Sequence, residues 1–257
     1  MTPRRLEITA LPGIPLVRPG DDLATLIVAA LGRAETALKV GDALVVAQKI
    51  VSKAEGRYAA LASVEPRPEA RDLAAKTDKD PRLVELILRE SARVVRHRPG
   101  LLIVQHRHGY VLANAGIDAS NVEPDPVAGE RVLLLPEDPD RSCRALRRRL
   151  REATGVAPTV IINDSLGRAW RHGTVGTALG AAGLAALLDL RGETDLFGRT
   201  LRVSQVGLAD ELASAASLVQ GEAAEGTPVA LIRGMAPEGA DQQAADLIRS
   251  EDEDLFR

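Results

Sequence analysis

Two short segments of the chain place an aspartate among glycine, serine and asparagine directly after an apolar run. The first segment, 114–121, contains Asp118, and the second segment, 161–168, contains Asp164. Each preceding apolar run predicts a buried strand, so we expect each aspartate where a strand ends. Small residues at such a position allow the backbone to approach a ligand closely. The two segments are therefore the first candidates for a functional site.

The oxygen-bearing side chains of these segments suit a hard divalent cation, which prefers carboxylate, hydroxyl and amide oxygens. The carboxylates of Asp118 and Asp164 come from distant parts of the chain and could meet at one metal site. Taken one at a time, each aspartate is explained more simply by an Asx-turn or a helix cap. The occurrence of both segments in one chain favours the metal site.

A pair of lysines follows another predicted strand. Residues 43–47 form an apolar run, and Lys49 and Lys53 come directly after it with Ser52 between them. Lysines four residues apart lie on one face of a helix, and two ammonium groups with a hydroxyl could bind phosphate oxygens. The segment lacks the glycine-rich pattern of a Walker A loop. A solvated helix face explains the two lysines equally well.

A third candidate segment is the loop 220–228, which precedes another apolar run. It contains two glycines, a threonine and the carboxylates of Glu222 and Glu225. Glu222 could supply a further oxygen to a metal ion. The loop would be ordinary by itself, so its interest depends on the two aspartate segments.

Histidines and arginines form two weaker candidates. His106 and His108 lie at a predicted hairpin turn, but no third residue follows them with the spacing of a zinc site. We therefore interpret the pair as a surface turn. A helix predicted over 138–153 and closed by Gly155 carries a basic run that could attract an anionic substrate, made of Arg144, Arg147, Arg148, Arg149 and Arg151. A solvated face paired with acidic neighbours is the commoner explanation of such a run.

Periodicity predicts the remaining elements and a mixed α/β fold. Apolar residues at helical spacing predict a helix over 81–95. The glycine- and alanine-rich stretch 173–183 predicts a helix that packs closely against another backbone. A strand is expected over 200–206, and a short helix is expected in the tail from Gly239.

The composition excludes several classes of protein. The 257 residues carry a net charge of −3, so there is no overall attraction to DNA or to an anionic membrane. Aromatic residues make up 2% of the chain, which leaves few rings to stack on single-stranded nucleic acid. Cys143 is a single cysteine, and the N-terminus lacks the apolar region of a secretory signal. We expect a cytoplasmic protein with neither nucleic-acid nor membrane partners.

The order of these segments resembles that of a known family. The residues that carry the resemblance are Pro12 to Pro15, Gln48 to Gly56, Asn114 to Asn121, Asp164 with Gly167 and Arg168, and Gly221 to Pro228. They resemble the coenzyme F420-0:L-glutamate ligase family over nearly the whole chain. The resemblance implies an α+β fold of two intertwined subdomains with mixed and antiparallel sheets. It also implies one ligase domain over residues 1–257, in the free-standing form without a fused nitroreductase-like domain.

The resemblance implies a GTP-dependent enzyme that joins L-glutamate to coenzyme F420-0 and then adds further γ-linked glutamates. It also implies a homodimer that uses two divalent cations, Mn²⁺ or Mg²⁺, and responds to K⁺. The metals would be held by Asp118, Asp164, Ser165 and Glu222, and Lys53 would join Asp118 and Asp164 in catalysis. The nucleotide would contact Pro12, Gly13, Ile14, Pro15, Leu16, Val17, Gln48, Lys49, Lys53, Asn121, Gln220, Gly221, Glu222, Ala223, Ala224, Glu225, Gly226 and Thr227.

The implied chemistry agrees with the residues present. Attack of a carboxylate on the γ-phosphorus would give an acyl phosphate, which the glutamate amine then displaces. Phosphoryl transfer needs alignment and charge neutralisation more than a covalent nucleophile, and this explains a site of carboxylates and lysines. Two alternatives remain open: a two-metal phosphohydrolase that uses Asp118, Asp164 and Glu222, and a GTP-binding module without catalytic activity.

Overall fold

The computed structural model describes residues 5–127, 129–235 and 240–254. Helices in these ranges are Leu23–Arg33 (α1), Gln48–Ala54 (α2), Pro68–Thr77 (α3), Pro81–Arg89 (α4), Pro139–Thr154 (α5) and Leu208–Gln220 (α6). Strands are Glu7–Ala10 (β1), Ala43–Ala47 (β2), Tyr58–Ala60 (β3), Ser91–Arg98 (β4), Leu101–His106 (β5), Val111–Ala113 (β6), Arg131–Leu133 (β7), Thr159–Arg168 (β8), Arg171–Ala182 (β9), Leu187–Asp189 (β10), Gln205–Gly207 (β11) and Val229–Arg233 (β12).

The central element is a five-stranded sheet with strand order β1-β12-β2-β8-β9. Strands β2 and β8 are parallel, and the other neighbouring pairs are antiparallel. Successive residues of β2 face opposite hydrophobic cores: Leu44 and Val46 face one, and Ala43 and Val45 face the other. Burial on both faces explains why the inner strands are continuous apolar runs in the sequence.

Helices cover both faces of this sheet. One core contains Ile27 from α1, Ile50 from α2 and Leu150 from α5, and the other contains Leu212 and Ala216 from α6. The helix ends follow local signals, since the carboxylates of Asp22 and Asp138 cap α1 and α5, and Gly155 ends α5 in a left-handed conformation.

A third core is built from one continuous stretch of chain. Its buried residues lie between Leu61 and Val132, and most of them come from α3, α4 and β5, the middle strand of the antiparallel sheet β4-β5-β6. This stretch interrupts the sequence of the central sheet between β2 and β8. The predicted α+β class, with mixed and antiparallel sheets, is confirmed.

The stretch 173–183 was expected to be helical, and that prediction is wrong, because residues 171–182 form β9. Its backbone pairs with β8, so inter-strand hydrogen bonds replace helical ones. The predicted close packing is nevertheless confirmed at two glycines. A Cβ at Gly176 would lie 2.4 Å from the carbonyl oxygen of Ala213 in α6, and a Cβ at Gly180 would lie 2.5 Å from that of Pro139.

Three other predicted elements differ from the structure. The helix predicted over 81–95 ends at Arg89, because residues 91–98 pair with β5 as strand β4. The strand predicted over 200–206 is reduced to β11, which pairs with β10. The predicted tail helix starts at Gly239, outside the described residues, and its described part is a 3₁₀ turn at Ala244–Leu247.

The helices of the described ranges give no candidate for a membrane span. None of them combines the length and the apolar composition that spanning a bilayer requires.

Candidate functional site

A cavity of about 890 Å³ opens at the carboxyl end of β2, where its parallel pairing with β8 stops. Ala47, the last residue of β2, pairs with Asn163 of β8, and both line the cavity. Its volume is in the range of small-molecule and cofactor sites. Ligands of α/β sheets commonly bind beyond the carboxyl ends of the strands, and the lysine segment and both aspartate segments converge here.

Asp118 is held at the cavity wall by two donors. Its Oδ2 lies 2.7 Å from the Lys49 ammonium, and its Oδ1 accepts a hydrogen bond of 2.6 Å from the Ser120 amide. Burial alone would raise the pKa of Asp118, but the Lys49 and Ser120 donors outweigh it and lower the pKa below its ordinary value. The Asx-turn expected from the sequence is therefore present together with an ion pair to the lysine segment.

Asp164 was predicted to follow the end of a strand. That prediction is wrong, because β8 continues through Asp164 to Arg168. The reason is the hairpin with β9, which pairs Asp164 with Thr177 and extends the strand beyond its apolar part. Burial, together with the negative charges of Asp118 and Glu222, raises the pKa of Asp164 to about 6, although the Ser165 amide and the Lys49 charge act in the opposite direction. The three predicted metal-binding carboxylates therefore act on one another within a single site.

Glu222 is brought to the cavity by the loop after α6. The hydroxyl of Ser165 on β8 donates to Glu222 Oε1 at 2.5 Å. Gly221 adopts a left-handed φ of +74°, and a Cβ there would lie 2.3 Å from the carboxyl carbon of Glu225. The Glu225 carboxylate accepts a hydrogen bond from the Ala223 amide, which folds the loop back on itself. The second aspartate segment and the loop thus meet through side chains.

Lys49 and Lys53 project from α2 into the cavity. Lys49 Nζ donates to Ser120 Oγ at 2.7 Å, and Lys53 Nζ donates to the Asn121 carbonyl oxygen at 2.7 Å. Burial lowers the pKa of Lys53, and the nearby Lys49 charge lowers it further, whereas Glu123 opposes this effect. The two lysines face the aspartate segment rather than bulk solvent alone.

The donor set fits a hard divalent cation. Carboxylate and hydroxyl oxygens are offered by Asp118, Asp164, Ser165 and Glu222. Burial and the neighbouring negative charges raise the pKa of Asp164, and a cation would neutralise those charges. Within the described ranges, no three His, Cys, Asp or Glu side chains are already gathered around a common metal position. Asp118 contacts Lys49, and Glu222 contacts Ser165, so both would exchange these partners for a cation.

Nearly all residues predicted to contact a nucleotide line this cavity. The lining includes Ile14–Val17, Gln48, Lys49, Lys53, Asn121 and the whole loop 220–227. Pro12 and Gly13 lie apart from the lining residues, and their carbonyl oxygens accept hydrogen bonds from the Arg33 guanidinium. The positive φ of Gly13 (+72°) serves this turn, where a Cβ would lie 2.6 Å from Arg33 Nε.

Several lining residues were not predicted as ligand contacts. Glu123, Asn163, Thr174 and Ser217 all border the cavity. Ser217 is on α6, where the apolar pattern indicates only a buried helix face. Thr174 reaches the site because β9 is a strand and pairs with β8. Only the neighbouring Asp164 could have drawn attention to Asn163.

The other candidate groups lie away from the cavity. His106 is 1% exposed and lies 3.7 Å from the Glu90 carboxylate, so the surface-turn interpretation is wrong for this residue. The arginines of α5 mostly bind neighbouring groups. Arg149 pairs with Asp22 at 2.7 Å, and Arg144 donates to Gln243 at 2.9 Å. These contacts support the interpretation of the arginine run as a partnered surface.

The comparisons with known proteins all agree on one family of ligases. The family model described as F420-0:gamma-glutamyl ligase matches residues 13–234. A coenzyme F420:L-glutamate ligase of Methanopyrus kandleri is 50% identical over 257 residues, which cover 98% of each chain. Enzymes of the same name from Methanothermobacter thermautotrophicus and Archaeoglobus fulgidus are 47% and 41% identical. The alignments cover 98% of this chain in both cases, and 99% and 97% of the respective relatives.

Proposed function

Because the chain belongs to the F420-0:gamma-glutamyl ligase family, we propose that it ligates L-glutamate to coenzyme F420-0 and adds further γ-linked glutamates. The observation that carries this proposal is the convergence of Asp118, Asp164 and Glu222 with Lys49 and Lys53 on one cavity. Carboxylates and ammonium groups in one cavity are the groups that phosphoryl transfer requires.

The proposed energy source is GTP, bound with two divalent cations, Mn²⁺ or Mg²⁺, in the presence of K⁺. Asp118, Asp164, Ser165 and Glu222 would hold the divalent cations, which supply Lewis-acid stabilisation of the phosphate oxygens. The loop 220–227 would contact the phosphates, because it borders the same cavity as Lys49 and Lys53.

The reaction proceeds in two balanced steps. An oxygen of the F420-0 carboxylate forms a bond to the γ-phosphorus as the bond to GDP breaks, giving an acyl phosphate. The glutamate amine then forms a bond to the acyl carbon, and phosphate leaves as the amine loses a proton. Lys49 and Lys53 hold the transferring phosphoryl group by charge and hydrogen bonding. The cavity walls limit water, which would hydrolyse the acyl phosphate.

The direct test is incubation with F420-0, GTP, MnCl₂, KCl and L-glutamate, followed by mass spectrometry. The expected product carries one or several added glutamyl units, and one phosphate is released for each unit added. A parallel reaction without glutamate measures phosphate release alone. Abundant phosphate without glutamate would indicate a two-metal phosphohydrolase, and GTP binding without turnover would indicate a binding module. Either result overturns the ligase proposal.

The proposed assembly is a homodimer. Sedimentation equilibrium is expected to give twice the chain mass of 27.3 kDa. A monomer at all concentrations would contradict it.

We also propose a cytoplasmic location, which suits a chain with a single unpaired cysteine, Cys143. Cell fractionation with an antibody to the chain would test the location.

A further inference from the structure

Two buried side-chain amides connect β8, α6 and the loop 221–226 beneath the cavity. Asn163 Nδ2 donates to Gln220 Oε1 at 2.9 Å and to Ser217 Oγ at 3.1 Å. Gln220 Nε2 donates to the carbonyl oxygens of Val45 at 3.0 Å and Pro228 at 3.1 Å. Asn163 and Gln220 are only 6% and 7% exposed. The polar contacts therefore lie in the wall of the cavity itself and are almost completely shielded from solvent.

The orientation of both amides follows from these partners. The main-chain carbonyls of Val45 and Pro228 can only accept hydrogen bonds, so the Gln220 NH₂ group must face them. Gln220 Oε1 then faces Asn163, which must present its own NH₂ group. Asn163 Oδ1 is left buried and without a hydrogen-bond partner among the described residues. Such an oxygen opposes folding, so core stability alone does not explain this amide pair.

The same contacts hold together the two ends of the loop, which we call its neck. Gln220 is the last residue of α6, and Pro228 directly precedes β12, so the Gln220 side chain joins the two ends of the loop. Thr227 Oγ1 adds hydrogen bonds to the carbonyl oxygens of Val219 at 3.2 Å and Gln220 at 3.0 Å. The loop carries Glu222, whose carboxylate meets Ser165 at the cavity.

We propose that Asn163 and Gln220 are positioning residues for the loop 221–226. Asn163 orients the Gln220 amide, Gln220 clamps the two ends of the loop, and the clamped loop holds Glu222 against the cavity. The clamp acts through Glu222 and the loop backbone, because both polar ends of the Gln220 side chain are bonded to protein. The inference rests on the proposed function only where it takes the occupant of the site to be a divalent cation with a nucleotide.

Two isosteric variants test the clamp. Gln220→Glu places carboxylate oxygens against two carbonyls, and Asn163→Asp places a carboxylate against Gln220 Oε1. In the full-length protein without ligand, we expect hydrogen exchange of the backbone amides 221–226 to rise by about tenfold. With GTP present, Mn²⁺ affinity measured by electron paramagnetic resonance should weaken by about 10- to 100-fold, as for the loss of a supporting contact.

Ser214→Ala is the matched control on α6. It removes a hydrogen bond of 2.7 Å from Ser214 Oγ to the Gly176 carbonyl and leaves the clamp intact. Exchange in 221–226 should stay at the wild-type rate in this variant. The proposal is overturned if the clamp variants leave 221–226 unchanged, or if Ser214→Ala opens the loop to the same extent.

A milder variant covers the case in which the isosteric variants fail to fold. Thr227→Val removes only the hydroxyl at the neck, so exchange in 221–226 should rise by about fivefold, as the loss of one neutral hydrogen bond implies. An unchanged exchange rate in this variant would also overturn the clamp. If the wild-type protein binds no Mn²⁺ with GTP, the proposed function fails, and the exchange measurements still decide the clamp.

Discussion

At the scale of single residues, the cavity places three carboxylates and two ammonium groups in different environments. The Lys49 and Ser120 donors lower the pKa of Asp118. Asp164 is partly buried beside the other carboxylates and has its pKa raised to about 6. Of the two aspartates, Asp118 is the one that forms an ion pair with Lys49. Substituting it tests both the lysine contact and the proposed cation site.

Replacing Asp118 with Asn keeps the side-chain shape and removes its negative charge. We expect glutamyl transfer to fall by about 100-fold or more, because the lost carboxylate both orients Lys49 and would bind a cation. Turnover would be measured by mass spectrometry of the glutamylated product at saturating GTP and Mn²⁺.

The control for this variant is Asp189→Asn. Asp189 pairs with Arg191 and is not among the residues that line the cavity. Loss of a surface carboxylate should leave turnover within about twofold of the wild type. Equal activity of the Asp118 and Asp189 variants would show that the Asp118 charge has no role in the reaction.

At the scale of elements, the contact between β9 and α6 depends on a missing side chain. A Cβ at Gly176 would lie 2.2 Å from Ser217 Oγ and 2.4 Å from the Ala213 carbonyl oxygen. We expect Gly176→Ala to lower the free energy of unfolding by about 1–3 kcal/mol through overpacking. Urea denaturation of the ligand-free protein would measure it.

Gly167→Ala provides a comparison on the neighbouring strand. A Cβ at Gly167 meets no heavy atom within 4 Å. This variant should change the free energy of unfolding by less than about 0.5 kcal/mol. If both alanines have the same small effect, close packing of β9 on α6 does not depend on Gly176.

The first turn of α6 makes stability depend on pH. Burial raises the pKa of Asp210, and its hydrogen bond from the Ala178 amide of β9 only partly offsets this effect. A carboxyl with a raised pKa contributes most to stability when protonated, and this contribution is lost as the pH rises through the folded-state pKa. The stability of Asp210→Asn relative to wild type should therefore increase as the pH rises from below the ordinary aspartate pKa to neutral.

Asp80 at the start of α4 should show the opposite trend. Its hydrogen bonds with the Arg82 side chain and amide lower its pKa. The lowered pKa adds stability above the unfolded-state value, and this is lost as the pH falls. Relative to the wild type, Asp80→Asn should therefore be destabilised most near neutral pH. Thermal unfolding at several pH values measures both variants, and parallel trends would contradict the assignment.

At the scale of the whole molecule, the site depends on how the insertion, the stretch between β2 and β8 that forms the third core, joins the central sheet. Leu134 donates its amide to the Arg57 carbonyl, and the Arg57 guanidinium donates to the Leu135 carbonyl, both at 2.9 Å. The Glu137 amide donates to the Glu55 carboxylate at 3.1 Å. These contacts hold the two ends of the insertion together. Asp118 in the insertion is thereby kept beside Lys49.

Ligand binding across this junction should stabilise the molecule as a whole. GTP with Mn²⁺ at about 100 times the dissociation constant adds about 2.7 kcal/mol. For a chain of 257 residues this raises the unfolding midpoint by about 5–10 °C. Differential scanning fluorimetry should show the rise only when both are present. An equal rise with GTP in EDTA would argue against bridging cations.

The sequence by itself determined the features that depend on neighbouring residues. The predicted strand 43–47 has the same bounds as β2, and Gly155 ends α5 as predicted. These features follow from caps, turns and apolar runs, which act over a few residues. The lysine and aspartate segments could be chosen for the same reason, since their chemistry is visible in the side chains themselves.

Only the tertiary structure decided which distant segments meet. The glycine-rich stretch became β9 because β8 offered a pairing edge, and residues 91–95 became part of β4 because β5 did the same. Ser217 reached the cavity through the packing of α6 on that sheet. Periodicity describes one element at a time, whereas pairing and packing energies depend on partners far along the chain. The convergence of three carboxylates is therefore a property of the fold.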